Sequence, residues 1–257
     1  MSRTTIPRLT LALAAALSAP AGLAAPQDPG AAKPPAKPAD LVPVESLFKG
    51  KVTAVAGNVV ELTYDFADLA QLQDFEPSVP FRAIRTIEYS VRQGRVMAQG
   101  TGSMRHRAVF DGEVAASATF VPRKPRDFGF AVSEERESEV FTLYCCYDKY
   151  FGAGDNVYVP QNMIIKFIPR DPKVNKDGFQ DWRYCGSRGQ KPEIEVGKKY
   201  RVGLERAANE SRMTIEPVEA RHDAWESKGK EAGRDLTTQM VGVYLYDSHV
   251  EFDDLVV

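Results

Sequence analysis

From Val44 onward, apolar and polar side chains alternate with a period of two. Val60, Leu62, Tyr64 and Phe66 alternate with Glu61, Thr63 and Asp65. The same pattern recurs at Val114, Ala116, Ala118 and Phe120, at Phe128, Phe130 and Val132, and at Tyr200, Val202 and Leu204. Phe141, Leu143, Cys145 and Tyr147 share one strand face, and Val140, Thr142, Tyr144 and Cys146 share the other. Successive strand side chains point to opposite faces, so the alternation predicts sheets packed on one side and wet on the other. Turn residues punctuate these runs at Gly57-Asn58, Gln93-Gly94, Asp111-Gly112, Ala208-Asn209 and Asp247-Ser248. Short strands at that spacing predict an all-β, two-sheet antiparallel β-sandwich with long loops. Met240 to Tyr246 and Val250 to Val257 are expected as two closing strands joined by a hairpin that holds His249. One or two helical turns are expected in Phe66 to Phe75, and a short helical piece in Ala220 to Gly233. Pro169 to Pro192 and Pro217 to Arg234 are polar interruptions, expected as long loops.

The N-terminus breaks this pattern. Arg3 and Arg8 precede a short apolar stretch, Leu9 to Ala19, and then small residues through Ala25. That order is the pattern of a secretory signal peptide, with cleavage expected after Ala24 or Ala25. Residues 26–43 hold six prolines among alanines and read as an extended linker. The expected organisation is a signal peptide over 1–25, a linker over 26–43 and a β-sandwich over 44–257, in a secreted or periplasmic protein.

Composition narrows the partners. Thirty-three basic residues face 35 acidic ones, a net charge of −2, so no global basic field draws the chain to nucleic acid. No apolar run approaches the ~20 residues of a membrane span. Hydrophobic residues at 43% suit a globular core. Three cysteines in an exported chain make an odd set. Cys145 and Cys146 are adjacent on a strand and point to opposite faces, so Cys185 is expected to pair with one of them.

The order of elements resembles the concanavalin A-like lectin/glucanase superfamily, a two-sheet jelly roll. The residues that carry the resemblance are Tyr64-Asp65-Phe66 through Asp74-Phe75, Phe110 to Val114, Tyr200 to Arg206, and the ending Val241-Gly242-Val243 with Val250 to Val257. Within the superfamily the chain is similar to secreted 3-keto-disaccharide hydrolase-like and laminin-G-like domains. The resemblance implies a glycan-handling surface on the concave face of one sheet and its loops. Trp182, Tyr150 and Asp148, with His106 and Arg206, are the residues expected to line it. Aromatic faces suit the C–H face of a sugar ring, and polar groups suit its hydroxyls.

Catalytic motifs are absent from the sequence. Glu251-Phe252-Asp253 has the spacing of two carboxylates on one strand face, but Val256 stands where the glucanase pattern needs a further glutamate. Asp148, Glu205 and His106 are the acid/base candidates if the chain is a glycosidase-like enzyme acting on a modified disaccharide. Asp171, Asn175, Asp177 and Asp181 bring oxygen ligands of the kind calcium takes, but their spacing fails the EF-hand pattern. No cofactor is therefore expected, calcium being the only metal the loop could suit. The expected function is recognition of a polysaccharide or glycoconjugate. A non-catalytic cell-envelope interaction domain is a further alternative.

Overall fold

Alternating side chains become hydrogen-bonded antiparallel strands in a computed structural model of the chain. The structure describes residues 44–56, 59–78, 86–133, 142–148, 152–153, 157–158, 162–168, 183–184, 192–219, 223–230 and 238–257. The chain divides into two units, Met1–Leu47 and Phe48–Val257. Of the first, a single 3-10 turn, Val44–Ser46, is described.

The strands of the second unit are β1 (Lys51–Ala56), β2 (Val59–Tyr64), β3 (Phe75–Ser78), β4 (Glu88–Arg92), β5 (Arg95–His106), β6 (Phe110–Asp111), β7 (Val114–Lys124) and β8 (Asp127–Ser133). Then come β9 (Thr142–Asp148), β10 (Gly152–Ala153), β11 (Val157–Tyr158), β12 (Asn162–Ile168), β13 (Arg183–Tyr184), β14 (Tyr200–Ala207), β15 (Glu210–Pro217), β16 (Trp225–Lys230) and β17 (Thr238–Val256). The helical turns expected after Phe66 form a 3-10 helix, Leu69–Asp74, which the Asp68 carboxylate caps by accepting from the Ala70 amide at 2.8 Å. The piece expected to be helical within Ala220 to Gly233 is strand β16 instead. Trp225 and Ser227 turn inward while Glu226 and Lys228 turn outward, and pairing along β15 outweighs local helix preference.

Hydrogen bonds join most strands in one path, β13-β12-β9-β8-β17-β7-β14-β15-β16. That path folds back on itself. β8, β9 and β12 approach β14, β15 and β16 without pairing with them, so two layers face each other. The first layer is β13-β12-β9-β8, then the first half of β17, the second half of β5, and β3. The second is β16-β15-β14-β7, then the second half of β17, the first half of β5, and β4, with β2 and β1 beside the end of β17.

β5 and β17 therefore belong to both layers, and each must bend. The expected closing hairpin at Asp247-Ser248 is a bulge inside one long strand. Asp247 takes φ 44°, its amide donates to Thr101 Oγ1 at 3.1 Å, and Ser248 Oγ donates to the Asp127 carbonyl at 2.8 Å. Those partners hold the chain extended across the bulge, so His249 is a strand residue paired with Gln99. On β5 the matching bend uses Gly100 and Gly102, with φ 106° and 140°. A Cβ on Gly102 would lie 2.7 Å from the Ser78 carbonyl, so a side chain there forces the strands apart.

The core fills the space between the layers. Phe128, Phe130, Leu143, Cys145, Tyr147 and Val243 enter from the first; Ala118, Phe120, Val202, Leu204, Ile215 and Phe252 enter from the second. Phe120 meets Phe130 edge to face at 6.0 Å and Phe252 at 5.6 Å. Each such aromatic pair adds about 0.5–1.5 kcal/mol beyond area burial.

One end of the sandwich is closed by a polar link. Tyr64 on β2 donates to Asp74 Oδ2 at 2.9 Å, and His106 Nε2 lies 2.7 Å from the Tyr64 hydroxyl. The Ala108 amide donates to His106 Nδ1, so Nε2 carries the proton and the chain of donors runs from His106 to Tyr64 to Asp74. Asp74 Oδ2 also accepts from the Lys49 and Gly50 amides. Burial pushes the His106 imidazolium pKa down to about 4, against the opposing pull of the Asp74 charge. Burial first, and the Asp74 charge second, push the Tyr64 hydroxyl pKa up.

Candidate functional site

With one face of each layer committed to the core, any ligand surface must lie on an outer face, at an edge or in the loops. The outer face of the first layer follows from strand parity. On β5, Met104 and His106 point inward, so Ser103 and Arg105 point outward. Across the sheet, Glu76, Arg105, Gly242 and Ala131 fall in one register row. Ser78, Ser103, Tyr244, Gly129 and Cys146 form the next, and Tyr246, Asp127, Asp148 and Asn162 a third.

The middle of this face is low because its central residues are small. Gly242 has no room for a side chain: a Cβ would sit 2.8 Å from Arg105 Cα and from the Met104 carbonyl. Beside it, Ala131 adds one methyl group. The result is a small, largely enclosed depression of about 10 Å³, room for about one water, whose lining residues Ser103, Ala131, Ser133 and Met240 are all buried. Ser78, Ser103 and Ser133 supply hydroxyls to its wall, Arg105 a guanidinium and Met240 a thioether. Arg105 gives Nη2 to Glu76, which Arg107 also meets at 3.8 Å. Arg105 Nε is buried with no hydrogen-bond partner among the described residues. Such a donor costs about 1–3 kcal/mol while it stays unmet.

On the outer face of the second layer, charges already meet one another. Glu251 accepts from Arg123 Nε at 2.7 Å and meets Arg95 at 3.7 Å, while Arg95 Nε reaches Asp253 at 3.0 Å. The hydrogen bond from Arg123 holds the Glu251 carboxyl below its usual range. Burial first, then the Asp254 charge, raise that of Asp253 against Arg95. Arg212 meets Glu226 at 2.6 Å and Glu205 at 3.2 Å. The Glu251-Phe252-Asp253 carboxylates thus serve a cross-strand ladder around a core phenylalanine.

The expected site residues separate in this geometry. Asp148 lies on the outer face of the first layer, paired in register with Asp127 and Asn162, and is only 8% exposed. His106 and Arg206 do not reach a surface; each is 1% exposed. His106 shares the inward parity of Met104 and is ringed by Phe48, Tyr64, Phe75 and Phe110 at 5.2–5.8 Å. Arg206 shares the parity of Tyr200, Val202 and Leu204, and its Nη1 donates to Ser211 Oγ at 2.9 Å. Among the acid/base candidates, Glu205 is ion-paired on the second layer's outer face.

Trp182, Tyr150 and Cys185 lie outside the described residues, as do Asp171, Asn175, Asp177 and Asp181. Cys145 is buried in the main core, and Cys146 in a small outer cluster with Ala131 and Tyr244. Among the described residues no group of three or more His, Cys, Asp or Glu is placed to hold a metal ion, and no helix is long and apolar enough to cross a membrane. Arg105 and its serine neighbours were not singled out from the sequence. The alternation of Ser103, Met104, Arg105, His106 and Arg107 was the signal that sorts them.

The fold is an all-β antiparallel sandwich. The chain is similar to the lectin UEA-II complexed with galactose, at 11% identity and a TM-score of 0.43, over 77% of this chain and 98% of that one. It is similar to a protein of unknown function with a galectin-like fold from Bacillus subtilis, at 9% identity and a TM-score of 0.43, over 76% and 93%. It is also similar to the CBM2 module of an evolved Dit of Lactobacillus casei BL23 phage J-1, at 8% identity and a TM-score of 0.44, over 76% and 92%. No family model and no curated protein matches the sequence.

Proposed function

We propose that the chain is an exported carbohydrate-binding protein whose ligand seats on the outer face of the first layer, at the Arg105 depression. The observation that supports this reading is the depression's lining. Three serine hydroxyls and the Arg105 guanidinium stand around a floor of Gly242 and Ala131, with the Met240 side chain beside them. Sugar hydroxyls both donate and accept, which serine matches, and arginine donates to ring and hydroxyl oxygens in a fixed fork. A space of that size admits one sugar hydroxyl in place of a water, with the ring resting outside it.

Export rests on the signal pattern of residues 1–25 and is tested by N-terminal sequencing of the exported protein, which should begin at Ala25 or Pro26. Binding is tested with an immobilised glycan panel. Wild type should retain at least one saccharide. A Ser103→Ala, Ser133→Ala double variant with an unchanged melting curve should lose about tenfold in affinity, as two hydrogen bonds of roughly 0.5–1.5 kcal/mol each disappear. Retention of no saccharide, or identical binding by the folded variant, rejects the proposal.

A further inference from the structure

We propose that residues 48–50 form an acid-released clasp, which covers one end of the sandwich at neutral pH and lifts away from His106 in acid while the strands stay paired. The clasp stands apart from the carbohydrate-binding reading and concerns the buried polar link at that end.

Attachment is the first argument. Residues 48–50 lie ahead of β1 and belong to no strand. Among the described residues two amides tie them down, those of Lys49 and Gly50, and both donate to one oxygen, Asp74 Oδ2, at 2.7 and 2.9 Å. The same oxygen accepts from the Tyr64 hydroxyl, which His106 Nε2 holds from the other side. Gly50 lies so close to the Tyr64 ring that a Cβ there would collide with it. Phe48 covers His106 at a ring separation of 5.8 Å. The other rings around His106 belong to Tyr64 on β2, Phe75 on β3 and Phe110 on β6, all held by strand pairing. Phe48 is therefore the wall that moves at the smallest cost.

Proton chemistry is the second argument. The neutral imidazole uses both nitrogens: Nδ1 accepts from the Ala108 amide at 3.0 Å, and Nε2 donates to Tyr64. A proton added at Nδ1 removes that acceptor and places a cation among aromatic rings. Asp74 stands behind the Tyr64 hydroxyl and makes no ion pair with His106. Burial accordingly holds the imidazolium pKa down to about 4, against the pull of Asp74. Water reaching the ring returns it toward 6.5. Between these values the open form binds a proton that the closed form refuses, so acid favours opening. Closure is at full strength above pH 6.5 and is given up as pH falls toward 4.

Other charges at this end are exposed or already met. The Lys49 and Asp111 side chains are exposed, and Glu76 is shared by Arg105 and Arg107. Among the described residues, Tyr64 and Asp74 are the titratable groups that face His106.

Amide hydrogen exchange followed by NMR on the full chain tests the clasp, with each rate compared with its intrinsic value at the same pH. From pH 7.5 to pH 5 the protection of Lys49 and Gly50 should fall roughly 30-fold, the factor set by an imidazole that titrates near 4 closed and 6.5 open. Phe128, Phe130 and Val243 in the core strands should keep theirs. His106→Gln should remove the fall. If that variant does not fold, Phe48→Ala takes its place. It uncovers the imidazole at every pH, so the protection of Lys49 and Gly50 should be low at pH 7.5 and change little by pH 5. Protection at Lys49 and Gly50 that ignores pH in wild type overturns the inference. An equal fall at Phe128, Phe130 and Val243 does so too, because acid would then be unfolding the sandwich as a whole. A response of wild-type size in either variant also overturns it.

Discussion

The two layers obey the same alternation, yet they turn different surfaces outward. Beyond the core, the second layer shows a ladder of arginine, lysine and glutamate side chains paired across strands, most of them well solvated. The first layer shows small and hydroxylated side chains around Gly242, with Tyr244 and Cys146 at 0% exposure. A solvated charge ladder satisfies its own groups and keeps an outer face soluble. The contrast separates a face built for water from one whose described residues are largely withdrawn from it.

Variants can break or sharpen that contrast. The largest effect is expected at Tyr244, which is as buried on the outer side as a core residue. Tyr244→Ala should cost about 3–5 kcal/mol in urea unfolding. A cost below about 1 kcal/mol would show that the first layer's outer face is solvated like the second's.

Next comes the buried polar link at the end of the sandwich. His106 has a folded pKa of about 4, below its ordinary 6.5, so the unfolded chain binds more protons between these values. Its contribution is fully present above pH 6.5 and is lost as pH falls toward 4. The loss is roughly 3 kcal/mol. His106→Gln should flatten that limb of the urea midpoint against pH. The charge ladder cannot produce it, because Glu251, with its pKa lowered by Arg123, gives up stability only as pH falls through the carboxylate range.

A smaller effect is expected at Glu251. Glu251→Gln should cost about 1 kcal/mol, and high salt should shrink the difference from wild type. The smallest is at Arg212. Its ion pairs with Glu205 and Glu226 lie at the solvent surface, so Arg212→Ala should leave the urea midpoint unchanged.

Much of the sandwich was legible because alternation is a local property. Phe128, Phe130 and Val132 announce an inward face whatever lies opposite. The bend of β17 was not legible, because Asp247-Ser248 has the composition of a turn. What keeps the chain extended there is Thr101 and the Asp127 carbonyl, both more than a hundred residues away. Arg206 misled by its charge, whereas the parity of Val202 and Leu204 already pointed it inward. His106 was expected to line a ligand surface, although its parity with Met104 set it in the core and left Arg105 outside. Gly242 stands in a closing strand, and its sequence neighbours give no sign that Arg105 Cα and the Met104 carbonyl approach too closely for a side chain. The depression is thus a product of pairing between strands distant in sequence.

The most direct measurement of the division between faces is amide hydrogen exchange of the exported chain, with and without saturating saccharide from the panel. The account predicts added protection in Ser103 to Arg105, Ala131 to Ser133 and Met240 to Gly242, with none in Arg201 to Glu205 or Arg212 to Glu216. Protection confined to the second layer's strands would contradict it.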